Sequence, residues 1–336
     1  MSHKTRYFVI VSGAILAVGL GTGLIASYMG MPVSVFSRAA GPDELQYVPA
    51  DAAVVAYANV RDVMNSEFRQ RFRQLEPQSA ARNEFQDKTG VNLEQDIDSI
   101  VAAMMPRTGD GAKPRESALV LARGRFDAGR LEALAVEHGG TAGDYQGKRI
   151  LTHAPTDTPD GQDHGMSLGF IDADLVAIGT TDAVRRAIDA GRDHRNVVSN
   201  TEVMRLVAEL DNSNAWAVGR FDAVAKEAQL PTEIQAQIPT ISWFSAAGHI
   251  NGGVSGVLKA EAKDDAAAQN LRDVIRGFLA LAKLQAGTKP GMKDMVDSLQ
   301  LSGEGKTVSL AFSVPTEVLD VIESMAKSHR NGDEHR

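Results

Sequence analysis

The chain holds few of the residue patterns that carry out chemistry. Eight histidines are present, but no two stand four residues apart and none belongs to an HExxH sequence, so the helical zinc site of metalloproteases is not predicted. The stretch "GGVSGV" around Ser255 comes nearest to the GxSxG motif of serine hydrolases, yet it lies in a predicted hairpin rather than at a strand-to-helix turn. We therefore predict no catalytic, cofactor-binding or metal-binding residues.

One acidic loop, "APTDTPDGQDHG", has the residue types that hard cations prefer. Asp157, Asp160, Asp163 and His164 stand close together around a turn. Calcium needs about six to eight oxygen ligands, and this loop lacks both the DxDxDG start and the distant glutamate of an EF-hand. We interpret it as a solvated turn rich in turn-forming residues.

Composition excludes two further classes of site. The chain has no cysteine, so it has no thiolate nucleophile, disulfide or cysteine-based metal centre. Its formal net charge is -8, which argues against nucleic acid because binding to phosphates needs clustered positive charge.

A long apolar stretch near the N-terminus predicts a membrane anchor. No charged residue occurs between Tyr7 and Phe36, and about 20 apolar residues in a helix suffice to cross a bilayer. Residues 7–30 are long enough, and Pro32 favours an end to the helix just after them. We predict a transmembrane helix at residues 7–30.

The charges that flank this span predict its orientation. Lys4 and Arg6 precede it and no acid does, so residues 1–6 should stay in the cytoplasm and the body should be exported. A cleaved signal peptide ending near "SRA" at residues 37–39 is the alternative, but its apolar core would be shorter, about 7 to 15 residues. We expect an uncleaved anchor in a bacterial inner membrane, with the body in the periplasm.

Small residues within the span suggest a contact in the membrane. Gly19 and Gly23 form a GxxxG pair, a spacing that lets two transmembrane helices approach closely. The alternative is that glycine is simply common in such helices. We take both glycines as candidate interaction residues.

The exported part predicts an α+β fold in which helices alternate with antiparallel hairpins. Hairpin turns are predicted at residues 172–174, 251–252 and 303–305. A helix is predicted to begin at Thr181 or Asp182, with Val184, Ala187 and Ile188 on its apolar face. We expect two related units, each with its helices packed on one face of the sheet. The predicted divisions are a linker at residues 31–48, a first unit at 49–198, a second unit at 199–327 and a flexible tail at 328–336.

The sequence "GRFDA" occurs twice, at residues 124–128 and 219–223. Each copy follows an apolar run and precedes a helical pattern, and Asp62 follows a third apolar run in a similar way. An aspartate at a helix N-cap accepts a bond from an unpaired N–H of the first turn. We therefore interpret Asp62, Asp127 and Asp222 as helix caps at structural joints rather than as parts of an active site.

Two surface features are candidates for contact with a partner. The stretch "SEFRQRFRQLEPQ" predicts an amphipathic helix whose Arg69, Arg71 and Arg73 could hold lipid headgroups or an acidic partner. Met104 and Met105 precede a predicted loop and are adaptable enough for a partner surface. The alternatives are an ordinary solvated helix face for the arginines and core filling for the methionines.

After residue 45 the chain resembles a loose group of bacterial proteins of unknown function, each with one N-terminal anchor and an exported α+β body. The stretches that carry the resemblance are "YVPADAAVVAYANV", "TGVNLEQDIDSIV", "LVLARGRFD", "YQGKRI" and "DLVAIGTTDAVRRAID". These are packing and turn elements, so the resemblance implies an architecture and no catalytic residues.

These observations favour a non-catalytic, single-pass membrane protein that docks on or braces a larger membrane complex, for example a respiratory or photosynthetic one. The alternative is a periplasmic module that binds a lipid or another apolar ligand, using the apolar helical pattern around Phe278. An enzyme is the third hypothesis, since catalytic groups can converge only in the fold.

Overall fold

The computed structural model describes residues 41–73, 80–106, 116–153, 165–210, 213–225, 240–286 and 292–314. They form antiparallel strands and several helices, which confirms the predicted α+β class. The chain divides into two compact units. The seven-stranded unit comprises the described residues of Arg38–Met64 and Pro77–Asp211, and the five-stranded unit those of Asn65–Glu76 and Asn212–Arg336.

The elements are numbered in chain order. The strands are β1 Val54–Asn59, β2 Ile97–Pro106, β3 Glu116–Gly124, β4 Thr141–Tyr145, β5 Lys148–His153, β6 Met166–Asp172, β7 Leu175–Thr180, β8 Ala215–Arg220, β9 Ile241–Ile250, β10 Val254–Ala262, β11 Gln300–Ser302 and β12 Thr307–Val314. The α-helices are α1 Val60–Asn65, α2 Glu67–Arg73, α3 Ala80–Thr89, α4 Ala128–Glu137, α5 Thr181–Asp193, α6 Thr201–Ala208, α7 Phe221–Ala225, α8 Asp265–Ala286 and α9 Met292–Asp297.

The seven-stranded unit has the strand order β1-β2-β3-β7-β6-β5-β4, and all of these neighbours are antiparallel. Gln146 and Gly147 make the tight β4–β5 turn with φ of 50° and 78°, as the left-handed turns of short hairpins require. The predicted β6–β7 hairpin and the predicted helix at Thr181 are confirmed. Thr180 caps α5, and the predicted apolar face with Val184 and Ala187 is buried.

Strand β2 is an interior strand of this sheet, between β1 and β3, although polar and apolar residues do not alternate along its sequence. Its buried positions are Ile97, Ser99, Val101, Ala103 and Met105, and the half-buried side also carries apolar residues. A strand covered on both faces gives a continuous apolar run, which periodicity alone cannot assign to a strand.

The first GRFDA copy is a structural joint of the predicted kind. A Cβ on Gly124 would lie 2.1 Å from the carbonyl oxygen of Asp96, so the chain turns there without room for a side chain. Phe126 packs against a small core of Val60, Val91 and Ile97. The Asp127 side chain accepts a bond of 3.0 Å from the backbone N–H of Arg130 and caps α4.

The other two predicted caps were wrong in position. Helix α1 begins at Val60, and Asn59 Oδ1 accepts the N–H of Asp62 at 3.0 Å. Helix α7 begins at Phe221, so Asp222 lies in its first turn and pairs with Arg220. At both sites the strand runs directly into the helix with no coil residue between them. An aspartate in the first turn still complements the helix dipole.

We expect Asp127→Ala to lower the free energy of unfolding by about 1 kcal/mol, because α4 then begins with an unsatisfied N–H. Asp222→Ala is the matched control, with an expected change within about 0.5 kcal/mol because its ion pair is exposed. Urea unfolding followed by circular dichroism measures both. Equal losses in the two variants would contradict the capping role.

The five-stranded unit has the strand order β8-β9-β10-β12-β11. The predicted hairpins at Asn251–Gly252 and around residues 303–305 are confirmed. Helix α8 buries Ala267, Ala268 and Leu271 against Ile241, Ala262 and Val308 of the sheet. Among the helices of the described residues, none combines the length and apolar character needed to cross a bilayer, and the predicted span at residues 7–30 lies outside them.

Candidate functional site

The predicted interaction residues lie in three parts of the chain, which are the predicted anchor, helix α2 and strand β2. Gly19 and Gly23 lie outside the described residues. Arg69, Arg71 and Arg73 belong to α2, which confirms a helix there, and only the side chain of Arg69 is described. It is half-buried, and its backbone N–H donates to the Ser66 hydroxyl at 3.2 Å.

The two methionines lie near the end of strand β2, and residues 107–115, where the loop is predicted, lie outside the described residues. Met105 is fully buried and pairs with Ser117, while Met104 is half-buried between Val54 and Ala118. Their places correspond to the core-filling alternative.

The last eight residues of the predicted linker, 41–48, are embedded in the seven-stranded unit and do not form a free linker. Residues Asp43–Tyr47 form a short 3-10 helix in which Leu45 is fully buried. Just after it, the Val48 carbonyl accepts the N–H of Val197 at 2.8 Å. Residues 41–48, which we call the entry segment, are therefore part of the folded core.

A buried carboxylate lies at the centre of the entry segment. The side chain of Glu44 is only 5% exposed. Its Oε1 accepts a hydrogen bond from Ser99 Oγ at 2.9 Å and another from Arg123 Nε at 2.7 Å. Arg123 also donates through Nη1 to Asp174 Oδ2 at 2.7 Å. We call Glu44, Ser99, Arg123 and Asp174 the entry clamp.

The clamp links four parts of the unit that are distant in sequence. Glu44 comes from the entry segment, Ser99 from β2 and Arg123 from the end of β3, while Asp174 lies in the β6–β7 turn. Burial by itself lowers the pKa of Arg123, but its bonds to Glu44 and Asp174 outweigh this and raise that pKa above its ordinary value. The guanidinium is therefore held in its charged form, as an internal partner of a buried carboxylate must be.

Sequence reasoning did not identify the clamp. Glu44 lies within the predicted linker, and Ser99 and Arg123 are 55 and 79 residues away from it. A buried polar residue cannot be recognised from local patterns when its partners come from other strands. Glu44 Oε1 accepts hydrogen bonds from both Ser99 and Arg123. A carboxylate with these partners is suited to holding two segments of the chain together.

The aromatic side chains near the clamp also fix the entry segment. A Cβ on Gly191 of α5 would lie 2.4 Å from atoms of the Tyr47 ring, so this ring rests directly on the helix backbone. Burial raises the pKa of Tyr47, and the charge of Asp172 raises it further. Burial likewise raises the pKa of Tyr57, with the charge of Glu44 adding to the effect.

These tyrosines predict a loss of stability at alkaline pH. Their pKa values are higher in the folded chain than the usual value of 10.0, so folding favours the neutral phenols. The stabilisation is complete below about pH 10 and is lost as the pH rises through the folded-state pKa values. We expect the melting temperature to fall as the pH rises above about 10, and to fall less in Tyr57→Phe, because that variant has one phenol fewer to ionise. A pH-independent difference between the two proteins would contradict this assignment.

A second feature lies on the surface of the five-stranded unit. The exposed side of α8 is polar along its first half, with Gln269, Asn270 and Asp273. Along its second half the same side carries Gly277, Ala280, Leu281 and Leu284, which we call the leucine side of α8. Leu281 is 57% exposed and Leu284 is 78% exposed.

Metal binding has no candidate residues in the part of the chain that the structure describes. There, no three histidine or acidic side chains are grouped so that they could hold an ion. The acidic loop with Asp157, Asp160, Asp163 and His164 lies outside that part.

Comparisons with known proteins do not assign the chain to a family. No family model matches it, and no curated protein matches it. Among solved structures, it is similar to TP0453 in crystal form I, with 13% sequence identity and a TM-score of 0.43. The similarity covers 84% of this chain and 98% of that one.

Proposed function

We propose that this protein is a non-catalytic accessory subunit of a bacterial inner membrane, which docks on or braces a larger membrane complex. Residues 7–30 form its single transmembrane anchor, residues 1–6 lie in the cytoplasm, and the body lies in the periplasm. A respiratory or photosynthetic complex is the kind of host that fits. In this proposal the two units derive from an internal duplication, and each packs its helices on one face of its sheet.

The observation that carries the proposal is the entry clamp. Only ten residues, 31–40, separate the predicted span from the first described residue. A fully extended chain covers at most about 3.6 Å per residue, so this connection reaches about 40 Å at most. Because the clamp begins at Glu44, the chain has no long linker between the anchor and the folded body.

A short, firmly seated connection suits a brace. Any pull between the anchor and the body acts first on the entry segment, where Glu44 pairs with Arg123. Hydrogen bonds to a charged group contribute about 1.5 to 3 kcal/mol each, so the pair resists separation. A protein that only had to be retained at the membrane could use a longer, flexible linker.

The test is extraction of the full chain in a mild detergent, followed by purification through a C-terminal tag. We expect membrane proteins to copurify in a fixed ratio to the tagged chain. Recovery of the chain without membrane partners would overturn the brace, and recovery of the full-length chain from the cytosol would overturn the anchor.

The second candidate function is a periplasmic module for a lipid or another apolar ligand. The leucine side of α8 favours it, because exposed leucines of this kind often mark a contact surface. In the same extraction, a chain that carries lipid in a fixed ratio and no protein partner would support this candidate over the brace.

A further inference from the structure

The leucine side of α8 combines apolar and basic side chains. Its four residues lie within one arc of the helix, since positions three and four apart share a side. Arg276 and Lys283 are exposed, and they lie seven residues apart along the edge of this arc. From residue 274 to residue 286 the helix contains no acidic residue, although the whole chain has a net charge of -8.

The exposure of the leucines distinguishes a surface from a pocket. Pockets for single ligands are concave and enclose most of the ligand. Leu284 is 78% exposed, so its side chain is open to solvent rather than lining an enclosed space. A broad apolar surface is the better match for such a side chain.

Charge indicates what kind of surface fits. A helix with apolar residues on one side and lysine or arginine at its edge can lie in the interface of a bilayer, with its apolar side among the acyl chains. Each basic residue near an anionic leaflet adds about 1 kcal/mol of attraction. Asp273 pairs with Arg276 at 2.6 Å, which offsets part of the charge of that guanidinium. Lys283 directly precedes Leu284 in the chain.

We propose that the leucine side of α8 rests on the anionic surface of the bilayer and gives the body a second membrane contact besides the anchor. The proposal rests on the proposed function in one respect, the short connection that keeps the body near the membrane. Leu281 and Leu284 enter the interface, and Lys283 and Arg276 meet the headgroups of anionic phospholipids.

The absence of cysteine from the chain allows a direct test. A single cysteine is introduced by Leu284→Cys or, as a matched control, by Asn270→Cys, and it is spin-labelled. Asn270 is exposed on the same side of α8, 14 residues earlier and about 21 Å away along the helix axis. Each full-length protein is reconstituted into vesicles of phosphatidylcholine and phosphatidylglycerol, and into vesicles of phosphatidylcholine alone.

The measured quantity is the accessibility of the label to oxygen relative to a water-soluble nickel chelate. In vesicles with phosphatidylglycerol we expect this ratio to be severalfold higher at position 284 than at position 270, and to fall in phosphatidylcholine alone. Equal ratios at both positions would overturn the proposal. A high ratio at position 284 that depends on protein concentration and not on lipid charge would also overturn it, in favour of a protein partner.

A second variant separates the basic edge from the leucines. Lys283→Gln in the Leu284→Cys protein should lower the ratio in anionic vesicles and leave it unchanged in neutral ones. The melting temperature of each variant confirms that the fold is kept, since all of the altered side chains are exposed.

Failure of this proposal and failure of the anchor give different results. A chain without an inserted anchor is released from vesicles by alkaline carbonate, whatever the label at position 284 reports. A chain that resists carbonate but keeps a water-accessible label at position 284 has the anchor and lacks the second contact.

Discussion

Replacing Glu44 by alanine should lower the free energy of unfolding by about 3 to 4 kcal/mol, because the change removes two hydrogen bonds to a buried charged acceptor, each contributing about 1.5 to 3 kcal/mol. Arg123 keeps its bond to Asp174. Glu44 is nearly fully buried, and both donors reach the same oxygen. The loss is measured by urea unfolding of the full chain in detergent. The entry segment should also become accessible to protease near Tyr47.

Two further variants separate the buried pair from its exposed neighbour. Asp174→Asn changes the other acidic partner of Arg123, whose side chain is 57% exposed, and it should cost no more than about 1 kcal/mol. The double variant Glu44→Leu with Arg123→Leu removes both charges, so it should be more stable than Glu44→Ala. If Asp174→Asn were as damaging as Glu44→Ala, the buried pair would not be the main stabilising contact.

The Gly124→Ala substitution should be the next most damaging, with a loss of about 3 kcal/mol. The new Cβ would lie 2.1 Å from the backbone oxygen of Asp96, and a backbone atom cannot move aside by rotation as a flexible side chain can. Either the start of β2 or the chain after β3 must move, and this movement should displace Phe126 from its contact with Val60, Val91 and Ile97. Thermal unfolding in the same detergent measures the loss.

Gly143→Ala is the matched control in the same sheet. No atom lies within 4 Å of a Cβ built on Gly143, and the residue lies in the exposed strand β4. Alanine there should be neutral or slightly stabilising, by up to about 1 kcal/mol, since it restricts the unfolded chain. Similar losses at positions 124 and 143 would mean that glycine as such, and not the close approach to Asp96, is what each site needs.

The repeated GRFDA sequence illustrates how far local patterns reach. Both copies join a strand to a helix, and each phenylalanine packs on a core. The edge of Phe221 meets Phe244 with ring centroids 6.3 Å apart. The copies differ in the helix start, because only the first has a coil segment in which Asp127 can act as a cap.

The hairpins, the apolar face of α5 and the course of α8 were all predictable from the chain alone, because their causes lie within a few residues. A turn depends on residues such as Asn251 and Gly252, and a helix face depends on spacings of three and four. The same holds for the charge-free stretch from Tyr7 to Phe36, which predicts an anchor from composition and length.

The entry clamp and the place of β2 depend on long-range packing and could not be found in this way. Glu44 looks like part of a polar linker until the fold brings Ser99 and Arg123 to it from other strands. The sequence leaves Met105 open to either a partner surface or core filling, and the fold buries it fully. Burial of a polar group is favourable only when its hydrogen-bond partner is buried beside it. The assembled sheet, and not any local stretch of sequence, determines whether the two partners are in contact.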